Sequence, residues 1–170
     1  MTIIFEMFDF LTESLIIAGV AATPVLELRG SIPLGVFMFG WGPIESAILS
    51  FFGNLLPIFL VYWLAERWIG WTERRQGFLH RLTDGVLNRS RRRLAGKYAK
   101  YGLLALPLFV AVPLPMTGAW TGAIAAFLFG LTFHRAFPYL ASGVAVAAVV
   151  VTLITTGALA GLEHLLIIPE

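Results

Sequence analysis

The sequence predicts an all-α integral membrane protein with two inverted repeats, each a re-entrant helical hairpin plus a transmembrane helix, and a cytoplasmic amphipathic helix between them. Three observations predict this fold: high apolar content, two long uncharged runs, and two further apolar runs broken by proline and glycine. Of the 170 residues, 58% are hydrophobic and the mean hydropathy is +0.84, far above what a soluble core requires. We expect one membrane domain over residues 1–170, with repeat 1 at about 10–66, a basic segment at 67–100 and repeat 2 at about 101–163.

The two long uncharged runs predict two full membrane crossings. Ala47 to Ala65 contains 19 residues and Ala136 to Leu162 contains 27. Each is long enough, as a helix, to cross about 30 Å of hydrocarbon.

The first broken run precedes the Ala47 crossing. A half-helix is expected from about Ser14, a break from Pro24 to Pro33, and a second half-helix to Gly40. Proline removes a backbone donor and disfavours helix at the preceding residue, so the two prolines predict an extended segment between the half-helices.

Glu27 and Arg29 lie inside this break and are the only charged residues between Ser14 and Ile44. Ionisable groups within a membrane segment are costly and indicate a functional site by default. On an extended loop their side chains would share a side. Glu27 could carry a proton, and Arg29 could anchor an anionic head group. The alternative is a structural ion pair that locks the hairpin.

The second broken run precedes the Ala136 crossing. Tyr101 to Phe133 contains 33 uncharged residues, which as one helix would be about 50 Å long. This length exceeds the hydrocarbon thickness of about 30 Å. The prolines and glycine between Val112 and Gly118 therefore predict two half-helices joined at that segment.

A shift of 88 residues places Gly30 on Gly118 and Phe39 on Phe127, which suggests an internal repeat. If each broken run enters and leaves by one face, the copies are inverted and their tips meet near the midplane. If each run crosses completely, the copies are parallel.

The expected substrate- or ion-binding residues lie at the two breaks, in the first crossing and after the second break. The free N–H groups at the start of the last half-helix could hold an anion, with helix packing as the alternative. A lone Asn in a crossing more often bonds a neighbouring helix, and an Arg at a crossing's end often reaches lipid phosphates. The candidates are Glu27, Arg29, Pro113, Pro115, Thr117, Gly118, Trp120, Thr121, Asn54 and Arg135.

The segment from Arg67 to Lys100 has ten of the twelve Lys and Arg residues and two acids, a local charge of +8 that leaves −6 for the rest. The positive-inside rule places it in the cytoplasm of a multi-pass inner-membrane protein, with both termini outside. Its apolar residues recur at near-helical spacing, which predicts an amphipathic helix on anionic phospholipid rather than a nucleic-acid site. The arginines expected at the membrane surface are Arg89, Arg91, Arg92 and Arg93.

The absence of cysteine excludes disulfides and thiolate chemistry. No metal-ligand spacing, paired carboxylates or serine with a nearby base is present, so we expect no metal, no cofactor and no enzymatic activity. Two crossings offer little protein to bury the broken segments, so a homodimer is expected.

Two motifs resemble the family of small multidrug export proteins: the stretch from Pro24 to Gly35 and the stretch from Pro113 to Gly122. That family is similar in layout to the DedA superfamily. The resemblance implies two re-entrant segments that face each other. It also implies that Glu27 is the acidic residue of the first hairpin, Arg29 its basic partner, and Arg135 the arginine after the second hairpin.

These features together predict a small transporter, proton- or ion-coupled, with a midplane site between two hairpins. Arg29 beside Glu27 and a helix N-terminus suit an anion, and the DedA resemblance implies an amphipathic, lipid-like substrate such as a lipid phosphate. The alternatives are an exporter of drugs or organic cations and a non-transporting membrane scaffold.

Overall fold

The computed structural model describes residues 2–75, 98–112 and 117–166, and every regular element in these ranges is an α-helix. The prediction of an all-α protein is confirmed for this part of the chain. Its helices, in order, are α1 (Thr2–Ala21), α2 (Glu27–Phe37), α3 (Pro43–Arg75), α4 (Tyr98–Ala111), α5 (Ala119–Leu128) and α6 (Phe133–Leu166).

Helices α3 and α6 are the long apolar helices. Within them, Pro43–Trp71 and Phe133–Ala158 are 29 and 26 residues long and apolar enough to cross a membrane. Both lengths exceed the roughly 20 residues that a crossing requires. The two predicted crossings are confirmed in length and composition, and the helices extend beyond the predicted bounds at both ends.

The first break is shorter than the sequence predicts. Helix α1 ends at Ala21, and α2 begins at Glu27 and runs through Pro33 to Phe37. Thr23 closes the turn, because its hydroxyl donates to the carbonyl oxygen of Val20 at 2.7 Å and accepts from the Leu26 N–H at 3.3 Å. The expected extended segment up to Pro33 is therefore wrong: Pro33 removes one backbone donor inside α2 without ending it. Helix α1 also begins at Thr2, well before the expected Ser14.

The second break agrees with the prediction. Helix α4 ends at Ala111, and α5 begins at Ala119 after Gly118, whose backbone is extended. Pro107 lies inside α4. Residues 113–116, which include Pro113 and Pro115, lie outside the described residues, as do residues 76–97 with most of the expected amphipathic helix and Arg89, Arg91, Arg92 and Arg93.

The chain forms two compact units. The first unit comprises Met1–Asn54 and Ala145–Glu170, and so contains α1, α2, the start of α3 and the end of α6. The second unit comprises Leu55–Val144, with the end of α3, α4, α5 and the start of α6.

Each unit packs a glycine of its long helix against the helix that precedes the break. In the first unit, a Cβ added at Gly53 of α3 would lie 2.6 Å from the carbonyl oxygen of Ala18 in α1. In the second unit, a Cβ at Gly143 of α6 would lie 2.8 Å from the carbonyl oxygen of Pro107 in α4. The two glycines are 90 residues apart, and each allows two helix backbones to approach closely.

The loop from α2 to α3 also resembles the loop from α5 to α6. Each contains one glycine with a left-handed backbone, Gly40 at φ +70° and Gly130 at φ +76°, again 90 residues apart. The short helices bury matching positions, at Leu28, Ser31, Ile32 and Gly35 in α2 and at Ala119, Gly122, Ala123 and Ala126 in α5. These four pairs are 91 residues apart, so the expected register of 88 is wrong by two to three residues. Inversion of the two copies stays a prediction.

Candidate functional site

Glu27 and Arg29 lie in the first turn of α2, on a helix rather than on an extended loop. Glu27 has φ +48° and only 8% of its surface exposed, whereas Arg29 is half-buried. Residues two apart on a helix point about 200° from each other. Glu27 belongs to the buried face of α2 and Arg29 does not; that the two side chains share a side stays a prediction.

The buried face of α2 meets α1 and α3 at Gly35. A Cβ at Gly35 would lie 2.5 Å from Oγ of Ser46 in α3 and 3.1 Å from Cδ1 of Ile17 in α1. Only glycine fits this contact without displacing a neighbour. Glu27, Ser31 and Gly35 follow one another at four-residue spacing, so they lie on the face of α2 that Ser46 contacts.

The facing side of α3 is also polar. Ser46, Ser50 and Asn54 recur at four-residue spacing and therefore form a row along one side of the helix. Ser31, Ser46 and Ser50 are fully buried, and 2% of Asn54 is exposed. None of the three Oγ atoms, nor Oδ1 of Asn54, has a hydrogen-bond partner in the protein. We call these four residues the polar row.

The sequence pattern indicates Glu27 and Asn54 as candidates but not the three serines of the polar row. A detectable signal was present, because the spacing of Glu27, Ser31 and Gly35 matches the spacing of Ser46, Ser50 and Asn54. Serine is common in membrane helices, however, and its burial cannot be known before the helices are placed.

In the second unit, the polar residues at the start of α5 serve the local backbone. The Gly118 N–H donates to Oγ1 of Thr121 at 3.0 Å, and the Thr121 hydroxyl donates to the Gly118 carbonyl oxygen at 3.3 Å. The Thr117 hydroxyl donates to the carbonyl oxygen of Val112 at 2.8 Å. These threonines thus close the end of the break, and Trp120 beside them is half-buried. Anion binding at this helix start stays a prediction.

Arg135 lies in the first turn of α6 and its side chain is exposed, as is that of His134. An exposed arginine near the end of an apolar helix can reach the head-group region of a bilayer. Contact with substrate stays a prediction for this residue. Among the described residues, no group of three or more His, Cys, Asp or Glu could hold a metal ion.

The second unit contains a pocket that the sequence did not predict. It encloses about 200 Å³ between the end of α3 and the connection from α5 to α6, with Tyr62 and Glu66 among its lining residues. The Tyr62 hydroxyl donates to the Leu131 carbonyl oxygen at 3.1 Å. The Tyr62 ring also makes edge contacts with Phe127 and Phe133, with centroids 5.9 and 5.5 Å apart. Glu66 therefore adds a carboxylate to an aromatic-walled pocket.

The first unit contains an apolar groove of about 510 Å³ between the start of α3 and the middle of α6. Thr152 is its only polar lining residue among those described, and its hydroxyl donates to the Ala148 carbonyl oxygen. Such a groove fits a hydrocarbon chain. The lining residues are Ile44, Ala47, Ile48, Phe51, Phe52, Ala145, Ala148, Val149, Thr152 and Leu153.

Two long apolar helices, two broken helix pairs and a buried polar row are typical of a membrane protein with a functional site inside its helices. Residues 27–150 match the model of the family described as "Putative small multi-drug export protein". The chain belongs to this family, as the two motifs indicated, and the family together with the two apolar helices indicates a membrane protein of the small multidrug export type. No curated protein and no solved structure matches the chain.

Proposed function

We propose that the chain is a small membrane transporter, coupled to protons or another ion, that moves an amphipathic, lipid-like substrate such as a lipid phosphate. The observation that supports it best is the buried carboxylate of Glu27 on the same helix face as Ser31. A carboxyl group held inside a membrane helix bundle is costly, and such groups mark ion pathways and proton relays.

The proposed architecture has two inverted repeats whose broken elements re-enter the membrane. Helices α2 and α5 have 11 and 10 residues, so each is about 15 Å long, half of the hydrocarbon thickness. The matching contacts of Gly53 and Gly143 support a repeat. We place the tips near the midplane, the basic segment in the cytoplasm and both termini outside, in an inner-membrane homodimer.

The substrate class follows from the groove and the arginine. A groove of about 510 Å³ lined almost entirely by apolar residues supports a hydrocarbon chain as part of the substrate. Half-buried Arg29, beside the buried face of α2, could pair with an anionic head group such as a phosphate. Lipid phosphate is therefore the first substrate to test.

The second candidate is export of an organic cation, which the family description suggests. The pocket with Tyr62, Glu66 and Phe127 supports it, because aromatic faces and a carboxylate attract cations. This pocket belongs to the second unit, whereas the groove and Glu27 belong to the first, so variants separate the two candidates.

Replacement of Glu27 by Gln tests proton coupling. In liposomes with a pH gradient, Glu27→Gln should reduce substrate movement roughly 100-fold, because the amide cannot carry a proton. Glu45→Gln is the matched control, since Glu45 is an exposed carboxylate in the first turn of α3 and should retain wild-type transport. Full activity and full pH dependence of Glu27→Gln would exclude Glu27 as the coupling group.

The substrate is tested with a labelled lipid phosphate and a cationic dye in the same liposomes. Movement of the lipid that Glu66→Gln leaves unchanged supports the lipid-like substrate. Movement of the dye alone, lost in Glu66→Gln, supports the cation exporter instead. A scaffold is indicated if charge reversal of Arg91, Arg92 and Arg93 abolishes function in cells while Glu27→Gln retains it.

A further inference from the structure

The serines of the polar row differ from the other helical hydroxyl residues whose side chains the structure describes. Elsewhere in the described helices, threonine and serine hydroxyls donate to a carbonyl oxygen of the preceding turn; Thr12, Ser14 and Thr155 do so to Phe8, Phe10 and Val151 at 2.6 to 2.8 Å. This bond satisfies a hydroxyl within its own helix. Ser31, Ser46 and Ser50 do not make it, although they are fully buried. An unpaired buried hydroxyl loses its hydrogen bonds to water without gaining any in the protein, so a partner from outside the protein is expected.

Packing does not require these residues to be polar. The second unit has apolar residues at the matched positions. Those matched to Ser46, Ser50 and Asn54, each 90 residues later, are Ala136, Leu140 and Val144. The residue matched to Ser31 is Gly122. All four of these positions are buried in the second unit too. The same local construction is thus built there without a polar side chain.

The chemistry of the row favours water over a metal cation as the ligand. A cation would use the oxygen lone pairs and leave each hydroxyl hydrogen unpaired, whereas water both accepts and donates. Ser46 and Asn54 are eight residues apart, about 12 Å along the helix, which is too long for one ion shell with oxygen distances of about 2.5 Å. A series of waters, each hydrogen-bonded to side chains one turn apart, would span this length.

The row also has a direction along the membrane span. Ser46 lies three residues from the start of the span Pro43–Trp71, and Asn54 lies close to its centre at Pro57. Under the proposed topology the start of α3 faces the outside, because the basic segment after its other end faces the cytoplasm. The row would then connect the outer surface with the membrane centre.

We propose that Ser31, Ser46, Ser50 and Asn54 line a file of bound waters that leads from the outer surface to Glu27. Along this file each water or hydroxyl accepts a proton from one neighbour and passes one to the next, and a carboxylate oxygen of Glu27 receives it. The use of the file for coupling rests on the proposed function, whereas its hydration does not.

Among the ionisable side chains of the first unit that the structure describes, we assign the role of proton acceptor at the inner end to Glu27. On α1, Glu13 accepts a hydrogen bond from Nε1 of Trp41 at 2.6 Å, and Glu6 and Asp9 lie still nearer the start of that helix. On α3, Glu45 is exposed and accepts from the Gly42 N–H. Arg29 is the ionisable group closest to Glu27 in α2.

Hydration is tested by single cysteine variants, because the chain has no cysteine of its own. Ser31→Cys and Ser50→Cys are nearly isosteric, and Ag⁺, which replaces the thiol proton and travels only through water, is small enough to enter a narrow file. Membranes are treated with Ag⁺, washed, unfolded in detergent, and labelled with a maleimide at the thiols that remain. The matched controls are Ile32→Cys, beside Ser31, and Leu140→Cys, the counterpart of Ser50; both original residues are fully buried.

We expect Ag⁺ to block maleimide labelling of Ser31→Cys and Ser50→Cys at least about tenfold faster than labelling of the controls. The reason is that only thiols that reach water ionise and react. Protection no faster than in Ile32→Cys and Leu140→Cys would overturn the water file. If Ag⁺ blocks these thiols no faster than the controls while transport still depends on Glu27, the water file is overturned and the proposed transporter function stands. Fast protection in a protein that moves no substrate would keep the file and overturn the proposed function.

Discussion

The two units of this protein share a packing pattern and differ in chemistry. In both, a long helix approaches a shorter one through glycine, at Gly53 and Gly143, and a left-handed glycine begins the turn into the long helix. The first unit places the polar row on its buried faces, where the second places Gly, Ala, Leu and Val. The comparison indicates that this packing does not need polar side chains at these positions, so the polarity of the first unit requires another explanation, and the one we propose is transport.

The largest stability effects are expected at the close helix approaches. Gly53→Ala would place a methyl group 2.6 Å from the Ala18 carbonyl oxygen, and Gly143→Ala would place one 2.8 Å from that of Pro107. A backbone carbonyl group cannot rotate away from the added methyl group as a side chain can. Each variant should therefore lose about 1–3 kcal/mol of unfolding free energy. Thermal unfolding in detergent measures the loss, and the two losses should be similar.

Gly157→Ala is the control for both variants, since nothing lies within 4 Å of the added methyl group. Alanine favours helix over glycine by up to about 1 kcal/mol, so this variant should be neutral or more stable. A Gly143→Ala protein as stable as wild type would break the correspondence between the units.

A smaller effect, with a rescue, is expected at Gly35. Gly35→Ala would place its methyl group 2.5 Å from Oγ of Ser46, and we expect a loss of about 1–2 kcal/mol. The second unit has Ala126 and Ala136 at the matched positions, both fully buried. Gly35→Ala combined with Ser46→Ala should therefore recover most of the unfolding temperature. No recovery in the double variant would show that the two units pack differently here.

The smallest effect is expected at the left-handed turns. Gly40→Ala and Gly130→Ala would place Cβ atoms at φ +70° and +76°, at a cost of about 1 kcal/mol each. Nothing lies within 4 Å of a Cβ at Gly40, so backbone strain alone accounts for the loss there. Unfolding temperatures that fall equally in both variants would sharpen the comparison, and an unchanged Gly130→Ala protein would weaken it.

The sequence predicted the parts of the fold that depend on hydropathy and on chain breaks. Two uncharged runs located α3 and α6, and the prolines after Val112 located the second break. The first break was placed too broadly, because proline disfavours helix locally and cannot reveal that α2 tolerates Pro33 in its interior. Matching Gly and Phe residues predict an internal repeat, but the spacing of 90 to 91 residues between matching positions depends on contacts that only folded helices make.

The candidate site was predicted in part. Glu27 was found because a charge in an apolar run is conspicuous, and Asn54 because an amide in a crossing is rare. The serines were missed because serine costs little in a membrane helix when it bonds to its own backbone, and only geometry shows that these three do not. Tyr62 and Glu66 were missed because their pocket depends on a distant connection, at Leu131.

Replacement of the three polar residues of α3 by apolar ones tests the central claim most directly. The variant Ser46→Ala, Ser50→Ala and Asn54→Val keeps small or apolar side chains at positions where Ala136, Leu140 and Val144 serve the same packing. We predict that this variant inserts and folds as wild type, still binds substrate, and loses substrate transport driven by a pH gradient in liposomes. Wild-type transport by the folded triple variant would contradict the assignment of the polar row to transport.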